Sequence, residues 1–136
     1  MKNCQSKKLT LNKFGEYFNV HVFKTTGMLN GYMGKQKWFH QLPLKKGSNG
    51  DNRVLATTHF HANGKSKKLA DIYFSFENIS VDVISHESVH VATGLMLLKK
   101  YTSISLKEPG TNEEEKLAMF TGQVAQRIAD YLYSLV

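Results

Sequence analysis

Between Ser80 and Lys100 the chain has no proline, and Val81, Ile84, Val91, Leu95 and Leu98 recur at helical spacing, with Val83, Val89, Ala92, Met96 and Leu97 filling much of the rest. Ser80 is placed to cap a helix, Asp82 falls in its first turn, and Lys99 and Lys100 fall at its end, where the helix dipole favours positive charge. The pattern predicts a helix over Ser80–Lys100 that is buried nearly all round. Pro109-Gly110 then breaks the chain, and Thr111 stands three residues before Glu114, the spacing of a capping box. A second helix is predicted from about Asn112 to Leu135, with Leu117, Phe120, Val124, Ile128, Tyr131 and Leu135 on its apolar face. Ala118, Gly122, Ala125 and Ala129 form a neighbouring stripe of small residues on which another helix could pack closely, with Gly94 as its natural counterpart.

Upstream the period changes from helical to alternating. Phe18, Val20 and Val22 alternate with Tyr17, Asn19, His21 and Phe23, which predicts a strand within Phe14–Lys24 with both faces covered. Arg53–Ala62 is a second predicted strand, and Asn63-Gly64 is a strong hairpin signal toward a third, Leu69–Asn78. In that third strand Ile72, Phe74 and Phe76 share one face, and Asp71, Tyr73, Ser75 and Glu77 the other. Gly27–Gly34 and Lys45–Asn52 are expected to be connections, and neither has a phosphate-loop pattern. The fold class that follows is α+β: a small antiparallel or mixed sheet followed by two packed helices. A single domain over residues 1–136 is expected, β-rich to residue 79 and helical from residue 80.

Composition narrows this picture. With 136 residues, 41% of them hydrophobic, the chain can bury a genuine core, and it carries no internal repeat or low-complexity segment. One cysteine, Cys4, excludes an internal disulfide framework and a cysteine-based metal motif. There is no long apolar signal core and no stretch able to span a bilayer, so a cytoplasmic location is the expectation. Charge is uneven: residues 1–70 hold 13 basic and two acidic residues, whereas residues 71–136 hold five and nine. Lys7-Lys8, Lys35, Lys37, Lys45-Lys46, Lys65 and Lys67-Lys68 could attract nucleic acid or an acidic partner, or simply form a solvated exterior. Tyr32, Trp38 and Phe39 could supply stacking surfaces, although aromatic residues beside a sheet more often belong to a core.

The chemistry is concentrated in His86-Glu87-Ser88-Val89-His90. On a helix the four-residue spacing sets both imidazoles on one face, one turn apart, where they can share a Zn²⁺. Glu87 then sits beside them as a candidate general base for a water activated by the metal. The alternative is two histidines on an ordinary helix, but a polar island inside a buried helix needs partners, and a metal would supply them. A catalytic zinc ordinarily has three protein ligands and one open position. The first turn of the second helix is acidic, Glu113 to Glu115, and the small-residue stripe points between Glu114 and Glu115 on a wheel of about 100° per residue. Because Glu114 has the capping box to serve, Glu115 is the favoured third ligand. His59 and His61 alternate on a strand, but no nearby carboxylate completes a set, and with His21 and His40 they receive no role.

His86-Glu87-x-x-His90 followed by Glu115-x-x-Ala118 on a second helix resembles the gluzincin branch of zinc metallopeptidases, in its minimal forms. The interval of 25 positions from His90 to Glu115 fits the rest of one helix, a turn and the start of another. More loosely, the stretch from Ile84 to Tyr133 resembles metallopeptidases encoded by bacteriophages, for which the compartment would be the host cytoplasm. The resemblance implies zinc held by His86, His90 and Glu115, Glu87 as the base, a peptide or protein substrate, and a sheet edge to which an extended peptide can add. One departure stands out. Larger gluzincins often place an aspartate four residues after the ligand glutamate to orient an imidazole, and Met119 occupies that position here. The competing reading is a non-catalytic, metal-stabilised binding protein acting on a nucleic-acid-associated or acidic partner.

Overall fold

A computed structural model describes residues 2–12, 15–39, 54–61, 66–98 and 112–136. Its elements in chain order are β1 (Cys4–Thr10), β2 (Tyr17–Phe23), α1 (Thr26–Met33), β3 (Ala56–Phe60), β4 (Lys68–Ser75), a short 3-10 turn (Phe76–Asn78), α2 (Val81–Leu98) and α3 (Asn112–Ser134). The strands form one mixed sheet in the order β1-β2-β4-β3. β1 and β3 run antiparallel to their neighbours, and β2 and β4 pair in parallel at the centre. This is the α+β class the sequence predicts.

The alternation in β2 and β4 divides the structure into layers. Phe18, Val20 and Val22 of β2, with Ala70, Ile72 and Phe74 of β4, join Val91, Leu95, Val124 and Ile128 in the main core, so α2 and α3 cover one sheet face. α3 lies toward β1: the Arg127 guanidinium donates to the carbonyls of Thr10 (2.8 Å) and Leu11 (2.9 Å), tying the helix to the end of that strand. α2 lies toward β4 and β3. The opposite face, bearing Phe23 and Tyr73, is covered by Leu29 and Met33 of α1, with Trp38 and Phe39 packed beside them. Asp71, Tyr73 and Ser75, the more polar face of the predicted strand, are therefore buried as well.

Three elements differ from the sequence pattern. The glycine-rich segment Gly27–Gly34, expected as a connection, is mostly the helix α1. Thr25 caps it by accepting from the Met28 backbone N–H (3.1 Å), and burial of Leu29 and Met33, one turn apart, outweighs the cost of about 1 kcal/mol that each interior glycine carries. β1 has only Leu9 buried, so its sequence shows no alternation to betray a strand. α2 is not buried all round: Val81, Val89 and Leu97 lie with His86 and His90 on an exposed strip.

Candidate metal centre

α2 begins where its cap predicts. Ser80 Oγ accepts from the Val83 N–H (3.2 Å), and the Ile84 N–H reaches the Ser80 carbonyl (3.0 Å). The helix then carries His86 and His90 on its exposed side, with their Nε2 atoms 3.2 Å apart and the rings inclined at 70°. Two nitrogens each about 2.05 Å from a tetrahedral zinc stand about 3.3 Å apart, so the pair has the bite of a chelate. Glu87 faces inward and is 4% exposed. Its Oε2 accepts a 2.6 Å hydrogen bond from Thr58 Oγ1 in the middle of β3. One ligand atom from each of His86, Glu87 and His90 falls within 4.8 Å of the others, and among the described residues this is the only group of three or more that could hold a metal ion.

These side chains line a cleft of about 500 Å³ between α2 and β3. The two elements run side by side in the same direction: Ala56 lines one recess with Val83 and His86, Thr58 bonds Glu87, and Phe60 meets Gly94. Gly94 has a steric reason to be glycine, because a Cβ there would lie 2.2 Å from the Phe60 ring. Gly94→Val is therefore expected to push Phe60 out of the cleft and destabilise the fold by about 1–3 kcal/mol. Denaturant midpoints of that variant beside Gly94→Val/Phe60→Ala check the cause, since the double variant should recover part of the loss attributable to the clash.

The second helix does not bring Glu115 to the histidines. The groove between α2 and α3 is lined by Val81, Ile84 and Ser85 from α2 and by Gly122, Ala125 and Ala129 from α3. On a wheel of about 100° per residue, Ile84 and Ser85 lie roughly 100–160° from His86 and His90. α3 thus packs on the far flank of α2, where Ala125 and Ala129 of the small-residue stripe face it, while Gly94 serves β3 instead. Glu115 is exposed, and neither it nor Glu114 belongs to the metal-capable group. Thr111, the other half of the predicted capping box, lies outside the described residues, as do Lys99-Lys100, Pro109-Gly110, the Asn63-Gly64 turn, Lys65, Lys45–Asn52 and His40.

Two of the other histidines, His21 and His61, do have a carboxylate. On the opposite sheet face Asp71 accepts from His21 Nε2 (2.8 Å) through Oδ1, and from His61 Nε2 and Lys68 Nζ (2.7 Å each) through Oδ2. Burial alone would raise its pKa, but the bonds from His21, Lys68 and His61 outweigh burial and hold it well below the usual carboxylate range. His21 continues the chain to Ser6 Oγ on β1 (2.6 Å). His59 stacks on Trp38 with ring centroids 4.1 Å apart, and burial, then His61, lowers its pKa. The signal for this network was the alternation itself, which sets His21 and Asp71 on one face once β2 and β4 are known to be neighbours. Trp38 and Phe39 are packed in this region. Of the basic cluster, Lys7, Lys8, Lys35 and Lys37 are exposed, with Lys8 over the Tyr17 ring at 4.2 Å.

No family model, curated protein or solved structure matches the chain. Among the described residues no helix is long and apolar enough to cross a membrane.

Proposed function

We propose that the chain is a metal-dependent peptidase, with zinc as its metal. The observation that carries this reading is the 3.2 Å separation of the two Nε2 atoms directly beside a buried, hydrogen-bonded glutamate in an open cleft. His86 and His90 would hold the metal, and borderline imidazole donors suit zinc. Zinc in such a site supplies Lewis acidity that polarises a carbonyl and acidifies water. Glu87 takes the proton from the attacking water and returns it to the leaving amine. Thr58 fixes one carboxylate oxygen, leaving the other for the water. β3 is an edge strand of the described sheet, so an extended peptide could add alongside it by main-chain hydrogen bonds.

Metal titration tests the proposal. Zinc added to the metal-free chain is expected to bind at about one equivalent, and His86→Ala or His90→Ala should each abolish binding, since one imidazole makes a poor site. Undiminished stoichiometric binding by both variants would remove the site. Glu115→Ala is expected to leave binding unchanged, since Glu115 stands outside the metal-capable group. Loss of zinc in that variant would instead show that α3 swings its first turn to the metal.

A further inference from the structure

The cleft is not uniform along its length. His86 and Glu87 border two adjoining spaces: a recess at the start of β3, and the main cleft, which follows β3 from Ala56 to Phe60. The recess at the start of the strand, about 280 Å³, is walled by Leu55, Ala56 and Val83 and carries the Asp82 carboxylate. Asp82 is exposed and makes no ion pair or side-chain hydrogen bond among the described residues. The main cleft closes at its far end on Phe60, Thr93, Gly94 and Leu97, and its only ionisable side chains are the shared His86 and Glu87 and, on its own side, His90. Leu55 and Leu97 are 40% and 62% exposed, so an unburied apolar side chain waits at each end.

Resting on the peptidase reading above, we propose that the cleft selects polypeptide segments carrying a lysine or arginine on one side of the scissile bond and a bulky apolar residue on the other. The physical match is side chain by side chain. A lysine or arginine has an apolar stem and a charged head, and the first recess offers both partners, Leu55 and Val83 for the stem and the acidic Asp82 for the head. The far end of the main cleft offers an aromatic face and a leucine, with Gly94 keeping the helix backbone low enough for the Phe60 ring to lie against it. A strand lying along β3 would pass both spaces, so that side chains on either side of the bond facing His86 and Glu87 could enter them. Asp82 is thus a specificity-determining residue of this site. Its position in the first turn of α2 also suits the helix dipole, which accounts for an acid at that place but not for the apolar recess beside it.

The test is a quenched-fluorescence peptide library cleaved by the zinc-loaded chain with Glu87→Gln as the blank, together with anisotropy binding of the same peptides to Glu87→Gln. Peptides with lysine or arginine next to a large apolar residue are expected to be cleaved and bound at least tenfold better than those with glutamate in its place. Asp82→Asn should erase that preference and Asp82→Lys should reverse it, with circular dichroism showing α2 intact in both. Cleavage that depends on Glu87 but treats lysine and glutamate alike, or a lysine preference surviving both Asp82 variants, overturns the subsite and leaves the peptidase reading standing. If no peptide is cleaved in a Glu87-dependent way, the peptidase reading fails. Binding then decides the subsite separately: equal anisotropy for the lysine and glutamate peptides overturns it.

Discussion

Glu87→Gln is expected to lower peptide hydrolysis by on the order of 10²–10⁴-fold while leaving the zinc content and the fold nearly unchanged. Glutamine is close in shape to glutamate and keeps an acceptor oxygen for the 2.6 Å bond from Thr58, so the carboxylate pocket between α2 and β3 stays filled. What it loses is the capacity to take a proton. The two imidazoles that would hold the metal are untouched, which makes zinc stoichiometry the internal control. Steady-state rates on a cleaved library peptide, with metal content measured on the same samples, check both halves. Wild-type turnover by the variant would exclude Glu87 as the base, and loss of zinc would place its carboxylate among the ligands.

The second large effect lies on the other side of the sheet. Asp71→Ala is expected to cost on the order of 2–3 kcal/mol near neutral pH, because it leaves three donors, His21, His61 and Lys68, without their shared acceptor. The cost stays below that of a fully buried pair, since those three side chains are 21–29% exposed and can be hydrated. The pH dependence follows from the direction of the shift. Asp71 has a folded-state pKa below its unfolded value, so its contribution is complete above about pH 4–5 and is lost as the pH falls from there through the folded value. Urea unfolding of wild type and variant at several pH values between 3 and 7 should show a gap that narrows on acidification. A gap independent of pH would mean that Asp71 acts through packing alone.

How much was legible in the sequence varied with how local the cause is. The predicted start of α2 and both predicted bounds of α3 fall within two residues of the observed ones, because caps and a helical apolar period are properties of the segment itself; Lys99 and Lys100, the predicted end of α2, lie outside the described residues. The central strands β2 and β4 were visible by alternation, although β4 gives way to a 3-10 turn at Phe76. α1 was hidden by its glycines, which lower helix propensity, while the burial of Leu29 and Met33 that overrides them comes from β2 and β4. β1 was hidden because its partner supplies the pairing and its own side chains stay mostly exposed. The small-residue stripe marks a helix-packing face, but it does not say which flank of α2 receives it, so the sequence could not show that Glu115 stands outside the histidine group.

By itself the sequence determined the pairing of the two imidazoles. A four-residue separation on a capped helix brings His86 and His90 together whatever surrounds them, because the helix repeat is set by backbone hydrogen bonds within the segment. It also fixed Glu87 one residue along, turned toward the core side of the same helix. Only the tertiary structure decided what faces those groups: Thr58 against the carboxylate, a cleft with unlike ends along β3, α3 on the far flank, and Asp71 joining histidines from strands far apart in the chain. Those contacts depend on strand order and on the flank at which a helix packs. Both are settled by the joint burial of apolar faces from distant segments, which no single segment's pattern encodes.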